Sequence, residues 1–179
     1  MKIIHAGLGV LLGGLLIGTL AAQATPATPE RAPLVVGTFD SRGVAIAYIR
    51  SEAFGQEMRD LRAALAQAEA DGDEERVAEL NAYGPALQER CHRQGFGTLP
   101  VDNILTQIED ELPGIAAQAG VDVIVSKWCV TYQQPGVTFV DVTDELAAQF
   151  EPTEETLGVI RDVLDSEPAA AESLKDHEH

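Results

Sequence analysis

The sequence predicts an α+β protein in which an antiparallel helical hairpin, a coiled-coil tentacle, stands on a small β body. Residues 54–91 carry two apolar stripes at heptad spacing on either side of an acidic turn. Short runs rich in Val and Ile lie before and after them, bounded by Gly and Pro. Heptad spacing places each stripe on one side of a helix, whereas short β-branched runs between turns are typical of strands. A chain of 179 residues suits one such domain with an export segment and a tail.

Apolar residues three and four positions apart define the two stripes of the hairpin seam. The first stripe is Phe54, Met58, Leu61, Leu65 and Ala68, and the second is Val77, Leu80, Gly84, Leu87 and Cys91. Between them Asp71-Gly72-Asp73 favours a turn, because Gly accepts positive φ and Asp hydrogen-bonds to its own backbone. Folded at this turn, the seam pairs Leu65 with Leu80 and Phe54 with Cys91.

One long helix is the alternative to the hairpin. An interior Gly would cost it about 1 kcal/mol, and the acidic residues around the turn would repel one another. Pro85 removes a backbone amide, so we expect it to kink or break the second arm. Gly84 leaves room opposite Leu61.

The first residues of the chain have the pattern of a secretory signal. Lys2 precedes an uncharged apolar run, and Ala22-Gln23-Ala24 offers a small-x-small cleavage site. We therefore expect a signal peptide over 1–24, a Pro-containing linker over 25–33 and an exported mature protein without stable membrane insertion. An uncleaved anchor is the alternative, since about 20 apolar residues can span a bilayer.

A single domain is expected over residues 34–150, with its hairpin at about 43–94. A strand over 34–39 ends at Asp40 and Ser41, either of which can cap a helix that runs on into the first arm. After the hairpin, an apolar face maintained across Pro113 predicts a kinked helix from about 100 to 118.

The second part of the body is expected over residues 121–142. Val121–Val125 reads as a strand, Trp128–Tyr132 as its continuation or partner, and Val137–Val142 as a strand after a Pro-Gly turn. Thr143 can cap a short helix. A C-terminal helix is predicted over 151–165, and an acidic disordered tail over 166–179.

Charge and composition argue against several classes of function. The formal net charge is −17, with 29 acidic and 12 basic residues and no basic cluster, which argues against nucleic acid as a partner. Cys91 and His92 are sequence neighbours, which do not face each other on a helix. No phosphate-binding loop or metal-ligand spacing appears, so we expect no enzyme, no cofactor and no metal site.

Cys91 and Cys129 are the two cysteines of the chain. An oxidising compartment would permit a disulfide between them, which would close a long loop at the base of the hairpin. Two free thiols are the alternative, because unpaired Cys commonly packs as a small apolar residue and Cys91 already belongs to the seam. An intersubunit bond is the third possibility.

Two passages of the sequence carry a family resemblance. Val35-Val36-Gly37-Thr38-Phe39-Asp40-Ser41 resembles the opening strand of the periplasmic Skp/OmpH chaperones, and residues 120–146, with Tyr132, Pro135-Gly136-Val137 and Asp141-Val142-Thr143-Asp144, resemble their closing block. The resemblance implies a periplasmic location, a trimer whose strands form a common body, and an ATP-independent holdase that binds unfolded outer-membrane or envelope proteins.

The chain departs from those chaperones in two respects. They are basic and have long tentacle helices, whereas this sequence is acidic and its hairpin is short. It looks like a distant, acidic, short-armed member of the group. The alternative function is a non-chaperone envelope assembly or scaffold module, in which the hairpin binds one fixed partner.

Overall fold

The computed structural model describes residues 33–170, which fold as a mixture of helices and strands. The α+β class is therefore confirmed. The expected signal peptide over 1–24, nearly all of the linker over 25–33 and residues 171–179 of the expected tail lie outside the described residues. In chain order the elements are β1 (Val35–Phe39), α1 (Ser41–Ile49), α2 (Glu52–Asp71), α3 (Glu74–Gly95), α4 (Asp102–Leu105), α5 (Leu112–Ala119), β2 (Val123–Ser126), β3 (Thr138–Asp141), α6 (Thr143–Ala148) and α7 (Glu154–Leu164).

The three strands form one parallel sheet with β1 in the centre and the order β2-β1-β3. In register, Val36 lies between Val123 and Phe139, and Gly37 lies between Ile124 and Val140. Side chains alternate between the two faces of a strand, so these two rows point to opposite sides.

The hydrophobic core lies on the Gly37 side of the sheet. Phe39, which shares that side, is buried, and Ile124 and Val140 pack against the same core. Helix α1 supplies its centre, because every residue from Ser41 to Tyr48 is buried. Helices α4, α5, α6 and α7 surround α1 with further buried residues, among them Ile104, Ile115, Leu146 and Ile160.

Helix α1 does not run on into the first arm, contrary to the sequence-based expectation. It ends at Ile49, and Ser51 begins α2 by accepting a hydrogen bond from the amide of Phe54. The Ser51 hydroxyl also donates to the carbonyl of Tyr48. Because Ser51 forms hydrogen bonds with backbone groups at the end of α1 and at the start of α2, it stabilises the break between the two helices.

Helices α2 and α3 follow each other with Gly72 and Asp73 between them, and they pack against each other. Gly72 has φ of 69°, which terminates α2, and Asp73 caps α3 through the amide of Arg76. Helix α3 continues through Pro85 without the break that the proline predicted. It packs against both α1 and α2, and these contacts offset the lost backbone hydrogen bond.

The single kinked helix expected over 100–118 is instead two short helices. A 3-10 turn, Thr106–Ile108, follows α4, and α5 begins only at Leu112. Pro113 lies in the first turn of α5, where backbone amides have no hydrogen-bond partner within the helix, so proline loses no helical hydrogen bond there. The apolar face nevertheless continues, because Ile104, Ile108 and Ile115 are all buried in the core.

The expected strand over Trp128–Tyr132 is absent. Lys127–Cys129 form a 3-10 turn, and residues 130–137 contain no strand. Because β2 and β3 are both parallel to β1, the chain has to return from the carboxyl end of β2 to the amino end of β3. Residues 127–137 make this return. Helix α7 begins after Thr153, whose hydroxyl caps the amide of Thr156, as Pro152-Thr153 suggested.

Candidate functional site

An apolar cavity of about 660 Å³ lies among α1, α2 and α3, with one residue from α7. This volume is in the range of small-ligand pockets. The apolar residues that line it include Ile46, Ile49, Phe54, Met58, Leu87 and Phe96. Phe96 is 44% exposed, so the apolar lining continues to the protein surface.

The cavity opens where the seam approaches α1. Phe54, Met58, Gly84, Leu87 and Cys91 all line it, so this end of the predicted seam borders an open space. Gly84 contributes to the opening, because a Cβ built at this residue would meet nothing within 4 Å. The absence of a side chain there leaves the space that a larger residue would fill.

Further from α1 the seam is only partly covered. Leu80 is buried, with 8% of its surface exposed, and Ala68 is buried with it. Leu61, Leu65 and Val77 remain half-buried. Near α1, Tyr83 on α3 donates a hydrogen bond of 3.3 Å to Glu57 on α2.

Arg50, Gln88 and His92 provide the polar atoms at the cavity, and no acidic residue lines it among the described residues. Arg50 follows the end of α1 and forms an ion pair with Glu155 and a hydrogen bond of 3.3 Å with Thr156. The side chain of Glu155 is 80% exposed and that of Arg50 is 38% exposed, so the ion pair is weak. His92 packs its ring edgewise against Phe96.

A second, smaller cavity of about 180 Å³ lies beside Leu87 and Cys91 and is more polar. Tyr48 donates a hydrogen bond of 2.6 Å to Glu57 there. Burial and this hydrogen bond raise the pKa of the Tyr48 phenol. Arg90 also lines the cavity, with its Nε buried and without a hydrogen-bond partner among the described residues.

Cys91 and Cys129 are both free thiols, so the disulfide considered from the sequence is not formed in the structure. Cys91 is half-buried on α3 beside the cavity, whereas Cys129 is exposed in the turn after β2. Burial raises the pKa of the Cys91 thiol. Cys91 is therefore a poor nucleophile and contributes apolar surface to the cavity.

A charged cluster lies at the carboxyl end of the sheet, beside the first turn of α1. Asp40 accepts from Arg42 at 2.7 Å and from Lys127 at 2.6 Å, and Arg42 also donates to the carbonyl of Ser166. Trp128 covers the cluster, with the Arg42 and Lys127 cations 5.3 and 4.5 Å from its ring centre. Burial opposes ionisation of Asp40, but these hydrogen bonds outweigh it and lower the pKa of the carboxyl.

The side of the sheet away from the core carries four apolar residues that are not buried. Val36, Val123 and Phe139 form one row across the three strands, and Val125 lies two residues after Val123. Val123 is 38% exposed. We call this surface the outer sheet face.

No protein-family model matches the chain, and neither a curated protein nor a solved structure gives a match. Within residues 33–170 no group of His, Cys, Asp and Glu is arranged to hold a metal ion. The helices of that same region are all too short or too polar to cross a membrane.

Several residues of these sites were not singled out from the sequence. Ile46, Ile49 and Arg50 reach the cavity because α1 ends at Ile49, and the capping residue Ser51 was the available sign of that ending. Trp128 was assigned to an expected strand, and Lys127 lies between two of the expected strands. The contact of Lys127 with Asp40 and that of Trp128 with Arg42 depend on sheet order, which has no local sequence pattern.

Proposed function

We propose that the chain is an exported, ATP-independent holdase chaperone that binds apolar segments of unfolded outer-membrane or envelope proteins. The observation that carries the proposal is the apolar cavity of about 660 Å³ among α1, α2 and α3. Its lining offers apolar surface with few polar groups, which suits the side chains of an unfolded segment more than a polar substrate.

The partly covered seam supports the same function. Leu61, Leu65 and Val77 keep part of their surface open along α2 and α3. In the proposed arrangement α2 and α3 form the antiparallel hairpin of a short Skp/OmpH-like tentacle, and their open seam extends the client surface beyond the cavity. No nucleotide is needed, because capture by apolar burial is driven by the release of water.

The proposed working form is a homo-oligomer, with three copies as the Skp/OmpH resemblance implies. All-parallel sheets are almost always covered on both faces, yet the outer sheet face keeps Val36, Val123 and Phe139 unburied. Copies that pack through this face would hold several cavities around one client. The proposed compartment is the periplasm.

A light-scattering assay tests the holdase proposal. An unfolded outer-membrane barrel protein is diluted from urea in the presence of the purified chain at equal subunit concentration. We expect the client to stay soluble, and we expect Met58→Asp, which places a charge in the cavity, to lose this effect. Arg76→Gln, on an exposed surface of α3, is the matched control and should retain it. Aggregation of every client tested, at all ratios, would refute the proposal.

A scaffold that binds one fixed partner is the second candidate. The half-buried residues of the seam favour it, since one partner helix could cover Leu61, Leu65 and Val77 permanently. Crosslinking in the periplasm followed by mass spectrometry separates the two candidates. Many unfolded clients indicate a chaperone, whereas one partner at constant ratio indicates a scaffold.

A further inference from the structure

The charge of the cavity lining is opposite to that of the chain as a whole. The protein carries a formal charge of −17, yet among the described residues that line the cavity none is acidic and Arg50 is a permanent cation. An occupant that is apolar and ends in a negative group would match both the lining and Arg50.

Arg50 can exchange its present partner for such a group. Its carboxylate partner, Glu155, is 80% exposed, and an ion pair of this kind contributes little to stability. Glu155 can therefore turn back to water while Arg50 donates to a bound carboxylate. The hydrogen bond from Arg50 to Thr156 keeps the guanidinium beside the cavity.

The size of the cavity also favours a chain end. A space of about 660 Å³, bounded by α1, α2 and α3, holds a few large side chains. A chain end can place its last side chains and its terminal group together in such a space, whereas an internal segment has to continue beyond it in both directions. A carboxyl terminus brings the negative charge that the lining lacks.

From these observations we propose that the cavity preferentially binds the carboxyl terminus of an apolar polypeptide segment, with its terminal carboxylate on Arg50. This inference rests on the proposed holdase function and specifies which part of a client that function recognises. Ile46, Ile49, Phe54 and Met58 would enclose the last apolar side chains. The terminal carboxylate would take the place of Glu155.

Two peptides with one sequence test the inference. Both are octapeptides of Ala, Leu and Phe ending in Phe, with fluorescein on the amino end, and one has a free carboxylate while the other is amidated. Fluorescence anisotropy on the full mature chain measures their affinities. We expect the free acid to bind about five- to tenfold more tightly, a modest factor because Arg50 is partly exposed.

Two variants that break the same ion pair give opposite expectations. Arg50→Gln should bring the affinity for the free acid down to that for the amide, whose affinity should not change. Glu155→Gln removes the competing carboxylate, so it should strengthen binding of the free acid. Loss of the surface ion pair alone would affect both variants alike, so it cannot produce this pattern.

Other outcomes overturn the inference in distinguishable ways. Equal affinity for acid and amide on the wild type refutes recognition of the carboxylate and leaves the holdase proposal standing. Failure of both peptides to bind refutes the inference and contradicts the proposed function as well. Laurate serves as a third probe. Binding of laurate without a preference between the peptides would identify a fatty-acid site, and the inference would be wrong.

Discussion

The Asp40 carboxylate makes three kinds of interaction at one buried position. It caps α1 through the amide of Arg42, pairs with the Arg42 guanidinium and accepts from Lys127 of the turn after β2. Only 2% of the Asp40 side chain and 2% of the Arg42 side chain are exposed, so each charge depends on the other for solvation. The cluster thus ties α1 to β2 and, through Ser166, to the end of α7.

Asp40→Asn tests the charge separately from the cap, since Asn caps helices as well as Asp does. We expect a loss of about 3 to 5 kcal/mol in the free energy of unfolding, because Arg42 would remain buried without a counter-ion. Urea denaturation at pH 7, followed by circular dichroism, measures it. Asp141→Asn changes an exposed carboxylate that also accepts hydrogen bonds, and it should cost less than about 1 kcal/mol.

Acid should reduce the difference between wild type and Asp40→Asn. The folded pKa of Asp40 lies below its usual value of 3.8, so its contribution is complete above that value and is lost as pH falls through the folded pKa. The difference between the urea midpoints of the two proteins should therefore be smaller near pH 3 than at pH 7. A difference that stays constant over this range would contradict the ionic origin of the stabilisation.

At the scale of elements, the pair α2–α3 has fewer buried residues than α1. Ala68 is the one buried residue of α2, and Leu80 and Leu87 are the buried apolar residues of α3. Helix α1, by contrast, is buried from Ser41 to Tyr48. Elements with little buried apolar surface open at a lower free energy than the core does.

Leu80→Asp should therefore unfold the distal part of α2 and α3 and leave the sheet intact. A carboxylate without a partner at this buried position costs several kcal/mol, more than the local packing provides. Hydrogen exchange should accelerate in α2 and α3, while β1 stays protected. Ala82→Asp adds the same charge at an exposed position of α3 and should leave exchange unchanged. Faster exchange in β1 would show that helices and sheet unfold together.

Element boundaries were predictable where they depend on neighbouring residues. The turn at Gly72, the cap of α7 at Thr153 and the start of α1 after Asp40 all follow from local chemistry. The uninterrupted helix through Pro85 was not predictable, because contacts with α1 and α2 outweigh the local penalty. The cavity was missed for the same reason, since it forms between helices that are distant in the sequence.

For the whole molecule, the arrangement of the sheet was the part that the sequence left open. Strand order and direction depend on how residues 127–137 cross from β2 to β3, and this stretch was expected to contain a strand. The consequence is a parallel sheet with helices packed on the core side and four apolar residues, Val36, Val123, Val125 and Phe139, unburied on the other. Within residues 33–170, β2 and β3 each have one edge that pairs with no strand, and both edges border this outer sheet face.

Self-association through the outer sheet face is the prediction that follows at this scale. We expect the mature protein to associate, because association removes unburied apolar side chains from water. Light scattering at micromolar concentration should give three times the mass of one chain, the number of copies in the proposed Skp/OmpH-like assembly. Val123→Lys places a cation on that face at a residue already 38% exposed, so the single chain should still fold while the oligomer dissociates. Ala63→Lys adds the same charge at an exposed position of α2 and should leave the mass unchanged. A wild-type monomer with full helical circular dichroism, or an oligomer that survives Val123→Lys, would show that the outer sheet face does not join the copies.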